Sequence, residues 1–219
     1  MRLPAVFLLG AFAVAAPAAF ASSGADLTLA GTIKPEACEI TTSGRNMRVG
    51  TVSTQDLNRD SYSRLANKWF GLYVHCKAPT RFALKAADNR ADSAVLPDDA
   101  SAEDRERAYG LGWGNGTKIG YYLVNFKPER IWTRYKELGY LTHSSDQGIN
   151  WNTAGADVHF KPGEYVGVST RAGHSTGPSA LTYMGVSMDI EVNIAPLRQL
   201  DVSENFRVDG SAVVELNYL

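Results

Sequence analysis

Few side chains in this sequence are spaced for chemistry. His75, His143, His159 and His174 are scattered, with no paired spacing that would make two of them ligands of one ion. No G-x-S-x-G elbow, phosphate-binding loop or H-E-x-x-H helix occurs. Acidic residues are plentiful, but nothing in their order pairs two of them at one site. No catalytic residue, metal ligand or cofactor is therefore assigned. The two cysteines, Cys38 and Cys76, are a different case. An isolated pair in an exported chain reads as a disulfide. It would close a loop of about 38 residues, for which chain entropy gives roughly 4 kcal/mol. His75 adjoins Cys76, but no further Cys or His lies at a ligand-like distance along the chain.

Export follows from the first residues. Arg2 gives a positive start, and Val6 to Ala16 is an apolar run of signal-peptide length. Pro17 breaks it, and Ala19-Phe20-Ala21 is a small-x-small cleavage site. Residues 1–21 are read as a signal peptide and 22–219 as one mature domain. The apolar run is shorter than the ~20 residues of a spanning helix, and no later run is longer. No membrane span is expected in the mature chain. The near-neutral charge, formally −1 for the whole chain, argues against nucleic acid as a partner.

The elements that must carry any site are strands. Phe70, Leu72, Val74 and Cys76 alternate, as do Phe82, Leu84 and Ala86. The longest alternation runs through Met184, Val186, Met188, Ile190, Val192 and Ile194. The chain ends with Ala212, Val214, Leu216 and Tyr218 on one face, and Glu215 and Asn217 on the other. Period-2 patterns of this kind mark half-buried strands. Asn115-Gly116 marks a hairpin, since a type I′ turn needs positive φ at both central residues. Gln147-Gly148, Pro162-Gly163 and Asp209-Gly210 mark further turns. Pro97 to Arg107 is charged throughout and reads as a solvated loop with room for one helical turn. Glu129 to Leu141 is open between a short helix and an irregular strand. The sum is an all-β, antiparallel β-sandwich with one disulfide.

Two motifs are weighed against turn chemistry. Ser144-Ser145-Asp146-Gln147-Gly148-Ile149-Asn150-Trp151 resembles the Asp-box hairpin of sialidases and related proteins, departing from it at Asn150. A folding role is the expectation: Asp bonds nearby backbone N–H groups and Trp packs beneath. Asn115-Gly116-Thr117 matches a glycosylation sequon but is read as the hairpin. Trp113, Tyr121, Tyr122, Trp132 and Tyr135 are read chiefly as core, with a glycan surface as the alternative.

The run Leu27-Thr28-Leu29-Ala30-Gly31-Thr32-Ile33-Lys34-Pro35-Glu36-Ala37-Cys38 resembles subunits of chaperone–usher fimbriae of the type 1 pilin kind. Phe70 to Cys76 and the ending Leu216-Asn217-Tyr218-Leu219 resemble the same family. More narrowly, Phe82 to Arg90 and Asn115 to Tyr122 resemble a fimbria-associated periplasmic family of unknown function. The resemblance implies an immunoglobulin-like sandwich that lacks its last strand. It implies a donor-strand extension, residues 22–34, with Leu27, Leu29, Gly31 and Ile33 as plugs. It implies that Val214, Leu216 and Tyr218 form one groove wall and the contact for a periplasmic chaperone. The implied partners are that chaperone and other fimbrial subunits. The implied location is the periplasm or surface of a Gram-negative cell, with a role in adhesion or a surface organelle. A glycan-binding adhesin and a free periplasmic sandwich that completes its own fold are the alternatives. The chain is longer than a typical major pilin, with the excess in the middle, and the extension before Cys38 is short.

Overall fold

The computed structural model describes residues 37–44, 50–134, 137–154 and 158–219, and the rest of this account concerns those. The expected signal peptide, residues 1–21, and the residues expected to act as donor-strand plugs, Leu27, Leu29, Gly31 and Ile33, lie outside the described residues. Residues Glu36–Leu219 make one compact unit.

Eight principal strands carry the unit. They are β1 (Glu39–Thr42), β2 (Lys68–Thr80), β3 (Phe82–Asp88), β4 (Gly120–Thr133), β5 (Tyr140–Ser144), β6 (Tyr165–Ser169), β7 (Leu181–Ile194) and β8 (Ala212–Tyr218). One antiparallel sheet has the order β1-β2-β7-β4, extended beyond β4 by Val158–His159. The second has the order β5-β6-β3-β8, extended beyond β5 by Asn152–Thr153. The two pack together as a sandwich, so the all-β expectation and the antiparallel pairing hold.

Strand alternation explains the core. On β7, Met184, Val186, Met188, Ile190, Val192 and Ile194 are all buried. β2 contributes Leu72 and Val74, and β3 contributes Phe82, Leu84 and Ala86, from the faces that the sequence periodicity selects. β7 lies between β2 and β4, pairing Met188 with Phe70 on one side and with Phe126 on the other. A central strand buried on its inner face in this way has little freedom of register, since a slip of one residue would turn every apolar side chain outward.

Between Glu129 and Leu141 the described residues form strand and turn, not helix. The irregularity has a local cause: Val186 pairs with Ile131 while Met188 pairs with Phe126, so β4 bulges over residues 127–130. Pro128, which has no N–H to give to a ladder, sits in that bulge. The charged loop does contain one short helix, α1 (Ala102–Arg107), started by a capping box between Ser101 and Asp104.

The Cys38–Cys76 disulfide is formed and ties the entry of β1 to β2. The middle of the chain holds the Trp113–Gly114 and Thr117–Lys118 hairpin, whose turn residues Asn115 and Gly116 have φ of 47° and 80°. No helix among the described residues is long and apolar enough to cross a membrane.

Met188 is fully buried at the middle of the central strand. Met188→Ala is expected to cost about 2–5 kcal/mol, read as a lowered urea midpoint with an unchanged slope.

Candidate functional site

Among the described residues, strand order leaves both β1 and β8 at the end of a sheet. Hydrogen bonding along each strand fixes which backbone groups are left over. In an antiparallel ladder alternate residues bond to the neighbour, and the residues between them point the other way. Asn89 N–H donates to the Ser211 carbonyl at 2.9 Å, and Leu219 N–H to the Arg81 carbonyl at 3.1 Å. The bonded positions on β8 are thus the odd ones. The N–H and C=O groups of Ala212, Val214, Leu216 and Tyr218 face away from β3. On β1, Ser43 N–H donates to the Gly71 carbonyl at 2.8 Å. By the same alternation, the backbone groups of Ile40 and Thr42 face away from β2.

Between these two edges runs a groove of about 1570 Å³. Ile40 and Thr42 line one side, and Ala212 and Val214 the other. Its floor is apolar core: Phe70, Leu72, Val124, Ile190 and Val192 from the first sheet, with Ala86 from the second. One end is bridged by a single contact, in which the Cys38 N–H donates to the Tyr218 hydroxyl at 2.7 Å. β1 starts at that bridge and β8 finishes there, so the two walls run in opposite directions. Val214 and Leu216 are half-buried and packed against the core, while Tyr218 is 47% exposed.

Sequence reasoning missed the wall's continuation. Residues 202–211 form no strand, yet they extend the β8 side of the groove, and Phe206 and Val208 pack against the core. The middle of the chain holds this strap in place. The Asn115 side-chain amide donates to the carbonyls of Asp201 and Glu204, each at 2.9 Å. Gly114 lies against the Phe206 ring so closely that a Cβ there would fall 2.5 Å from it. Arg90 pairs with Asp209 at 2.7 Å. Residues in the middle of the chain thus hold one groove wall in place. The signal available in the sequence was Asp209-Gly210, which marks where the strap turns into β8.

The Asp-box-like hairpin is a built turn. Ser144 donates its hydroxyl to Asp146 at 2.6 Å, Asn150 N–H donates to the same carboxylate at 2.9 Å, and the Asn150 amide reaches its second oxygen at 2.7 Å. Asn150, the departure from the motif, therefore supplies an extra bond to the same aspartate. These bonds, led by the Ser144 hydroxyl, pull the Asp146 carboxyl down to a pKa of about 2. Trp151 is buried, donates from Nε1 to the Gly148 carbonyl at 2.9 Å, and packs on Gly177. Of the aromatics considered for a glycan surface, Tyr122 is core, stacked on buried Tyr109 at 4.9 Å. Trp113 is 50% exposed, with the Lys118 ammonium 5.4 Å over its ring. Trp132 and Tyr121 are half-buried, and Tyr135 lies outside the described residues. Among the described residues, no three His, Cys, Asp or Glu side chains are grouped to hold a metal ion.

Comparison with known proteins adds a family without a function. Residues 27–110 match the family described as "Protein of unknown function (DUF1120)". The matched span holds Leu27 to Ile33, both cysteines, β1, β2, β3 and α1, and ends before the hairpin that clamps the strap. No curated protein matches the chain.

Two predictions follow from this geometry. Tyr218→Phe removes one hydrogen bond between the groove walls and is expected to cost about 0.5–1.5 kcal/mol in thermal or urea unfolding. Asp146 has a folded pKa below its unfolded one, so the stability it contributes is present above about pH 4 and is lost as pH falls towards about 2. The urea midpoint should therefore fall between pH 5 and pH 2.5 by more in the native chain than in Asp146→Asn.

Proposed function

We propose that this chain is an exported subunit of a fimbria-like surface assembly. Its groove takes a β-strand from another protein, first a periplasmic chaperone and then the N-terminal strand of a neighbouring subunit. On this reading the protein assembles and does not catalyse. The observation that carries it is the seam between β1 and β8, where two strand edges that are unpaired among the described residues face each other across an apolar floor. An added strand would satisfy backbone groups on both sides and bury alternate side chains, the economy of strand addition.

Chain geometry favours a strand from another molecule. A strand antiparallel to β8 is parallel to β1, because the two walls run oppositely. Only four residues, 34–37, join Ile33 to Cys38, and they span at most about 14 Å. Returning along a seven-residue β8 needs roughly 23 Å. A hairpin within the chain would instead run parallel to β8, and would begin beside the Cys38 N–H that Tyr218 already holds. Leu27, Leu29 and Ile33 are the proposed plugs, each contributing ~1.5–3 kcal/mol when fully buried, and Gly31 allows close backbone approach.

Leu29→Asp tests the reading. The variant should co-purify with its chaperone and melt like the native complex, yet fail to enter polymers. Two results would sink the proposal: a Leu29→Asp monomer that is itself destabilised, or a native chain that stays a stable monomer at micromolar concentration without any chaperone.

A further inference from the structure

The first sheet has a second face, turned away from the groove. Leu72 and Val74 of β2 and Met184, Val186 and Met188 of β7 are buried in the core. Alternation therefore turns Trp69, Tyr73 and His75 of β2 outward, beside Tyr183 of β7. Two glycines lie among them: Gly71 on β2, and Gly185 on β7 opposite Tyr73. On the far side of Gly185 stands half-buried Trp132 of β4.

Both tyrosine rings lie down on the sheet. A Cβ on Gly71 would fall 2.5 Å from the Tyr73 hydroxyl oxygen and 2.8 Å from its Cζ. A Cβ on Gly185 would fall 2.6 Å from the Tyr183 hydroxyl oxygen and 3.3 Å from Cδ1 of Tyr73. The two glycines let the rings lie flat, each with one face on the backbone and one towards solvent. Rings laid over glycines shield a sheet backbone, which accounts for the tyrosines. It does not account for Trp69, which is 65% exposed on the same row. From Trp69 to His75 the row is about 20 Å long, and across β2 and β7 it is about 10 Å wide. The outward positions between Trp69 and His75 and between Tyr183 and Asp189 hold no Lys or Arg and no aliphatic side chain. Lys127, reaching in from β4, is held by Asp189 at 2.8 Å.

We propose that this face binds an extended neutral glycan, of the flat β-1,4-linked kind, laid along the row with its pyranose rings stacked on Trp69, Tyr73 and Tyr183. A pyranose has a face of C–H groups and an edge of hydroxyls. Tyr and Trp offer the matching pair, a broad apolar ring with a polar group at its rim. The tyrosine hydroxyls and the half-buried Ser187 meet the sugar hydroxyls. Other occupants fit less well. A single-stranded nucleic acid also stacks on aromatic rings, but it needs a basic track beside them, and an anionic membrane needs basic residues too. A protein partner needs about 800 Å² from each side, and a row of about 20 by 10 Å gives a quarter of that. The row is bordered by the exposed, polar Glu39 and Thr41 of β1, which do not widen it. The face is separate from the strand-binding groove, and its failure would leave that reading untouched.

The test is an NMR titration of the exported chain with cellopentaose, a flat neutral chain, and with maltopentaose, whose α-1,4 links curve it off a flat row. Cellopentaose should give saturable shifts at the amides of Trp69–His75 and Tyr183–Ser187, and maltopentaose should bind far more weakly. Trp69→Ala, an exposed substitution, should weaken cellopentaose about tenfold or more, the size of one lost stacking contact. Trp113→Ala, which removes the exposed tryptophan of the hairpin, should change nothing. Absence of saturable shifts at those amides, equal binding of maltopentaose, a Trp69→Ala protein that titrates like the native one, or loss of binding in Trp113→Ala would each overturn the proposal.

Discussion

A β-sandwich satisfies its backbone strand by strand, and each strand edge must end at another strand, at a covering segment or at water. Along one seam of this fold, among the described residues, the ladder stops on both sides. The even residues of β8 and the residues Ile40 and Thr42 of β1 turn their N–H and C=O groups towards each other across core side chains. Water can reach those groups, but it meets the apolar surface of half-buried Phe70, Val214 and Leu216 only at a cost. The apolar floor asks for a side chain and the edges ask for a backbone. On the proposed reading, an extended segment with alternating apolar residues answers both. Much of the remaining structure can be understood as holding that seam in shape.

Three devices do so. The disulfide anchors the start of β1 to β2, so the short outer strand stays paired although all four of its residues are exposed. The Tyr218 hydroxyl, reaching across to the Cys38 N–H, fixes the separation of the walls at one end. At the other end the strap before β8 is clamped by the Asn115–Gly116 hairpin and by Arg90. The middle of the chain is tied to this task by its contacts. The Asp146 turn and Trp151 brace the loop around Gly177, on the second sheet.

What the sequence made legible was whatever a local rule controls. The alternation from Met184 to Ile194 gave β7 and its buried face. Asn115-Gly116 gave a turn because both residues need positive φ. Ser144 to Trp151 gave its turn through Asp146, and Cys38 with Cys76 gave the bridge. The groove itself was not legible in that way. Val214, Leu216 and Tyr218 alternate like any strand, and only strand order shows that β8 has one neighbour. The strap from 202 to 211 has no periodicity, since Phe206 and Val208 are held by the Asn115 hairpin far away in sequence. The region after Glu129 resisted a reading because a bulge with a proline blurs period 2.

The central claim is that the β1–β8 seam is an unfilled strand position. Amide hydrogen exchange measures this directly, at Val214, Leu216 and Ile40, comparing the isolated chain with the chain bound to a chaperone or neighbouring subunit. The account predicts rapid exchange at these amides in the isolated chain and at least about a hundredfold slowing in the complex, while the odd residues of β8 are slow in both. Protection of Val214 and Leu216 in the isolated chain, or no change on complex formation, would contradict it.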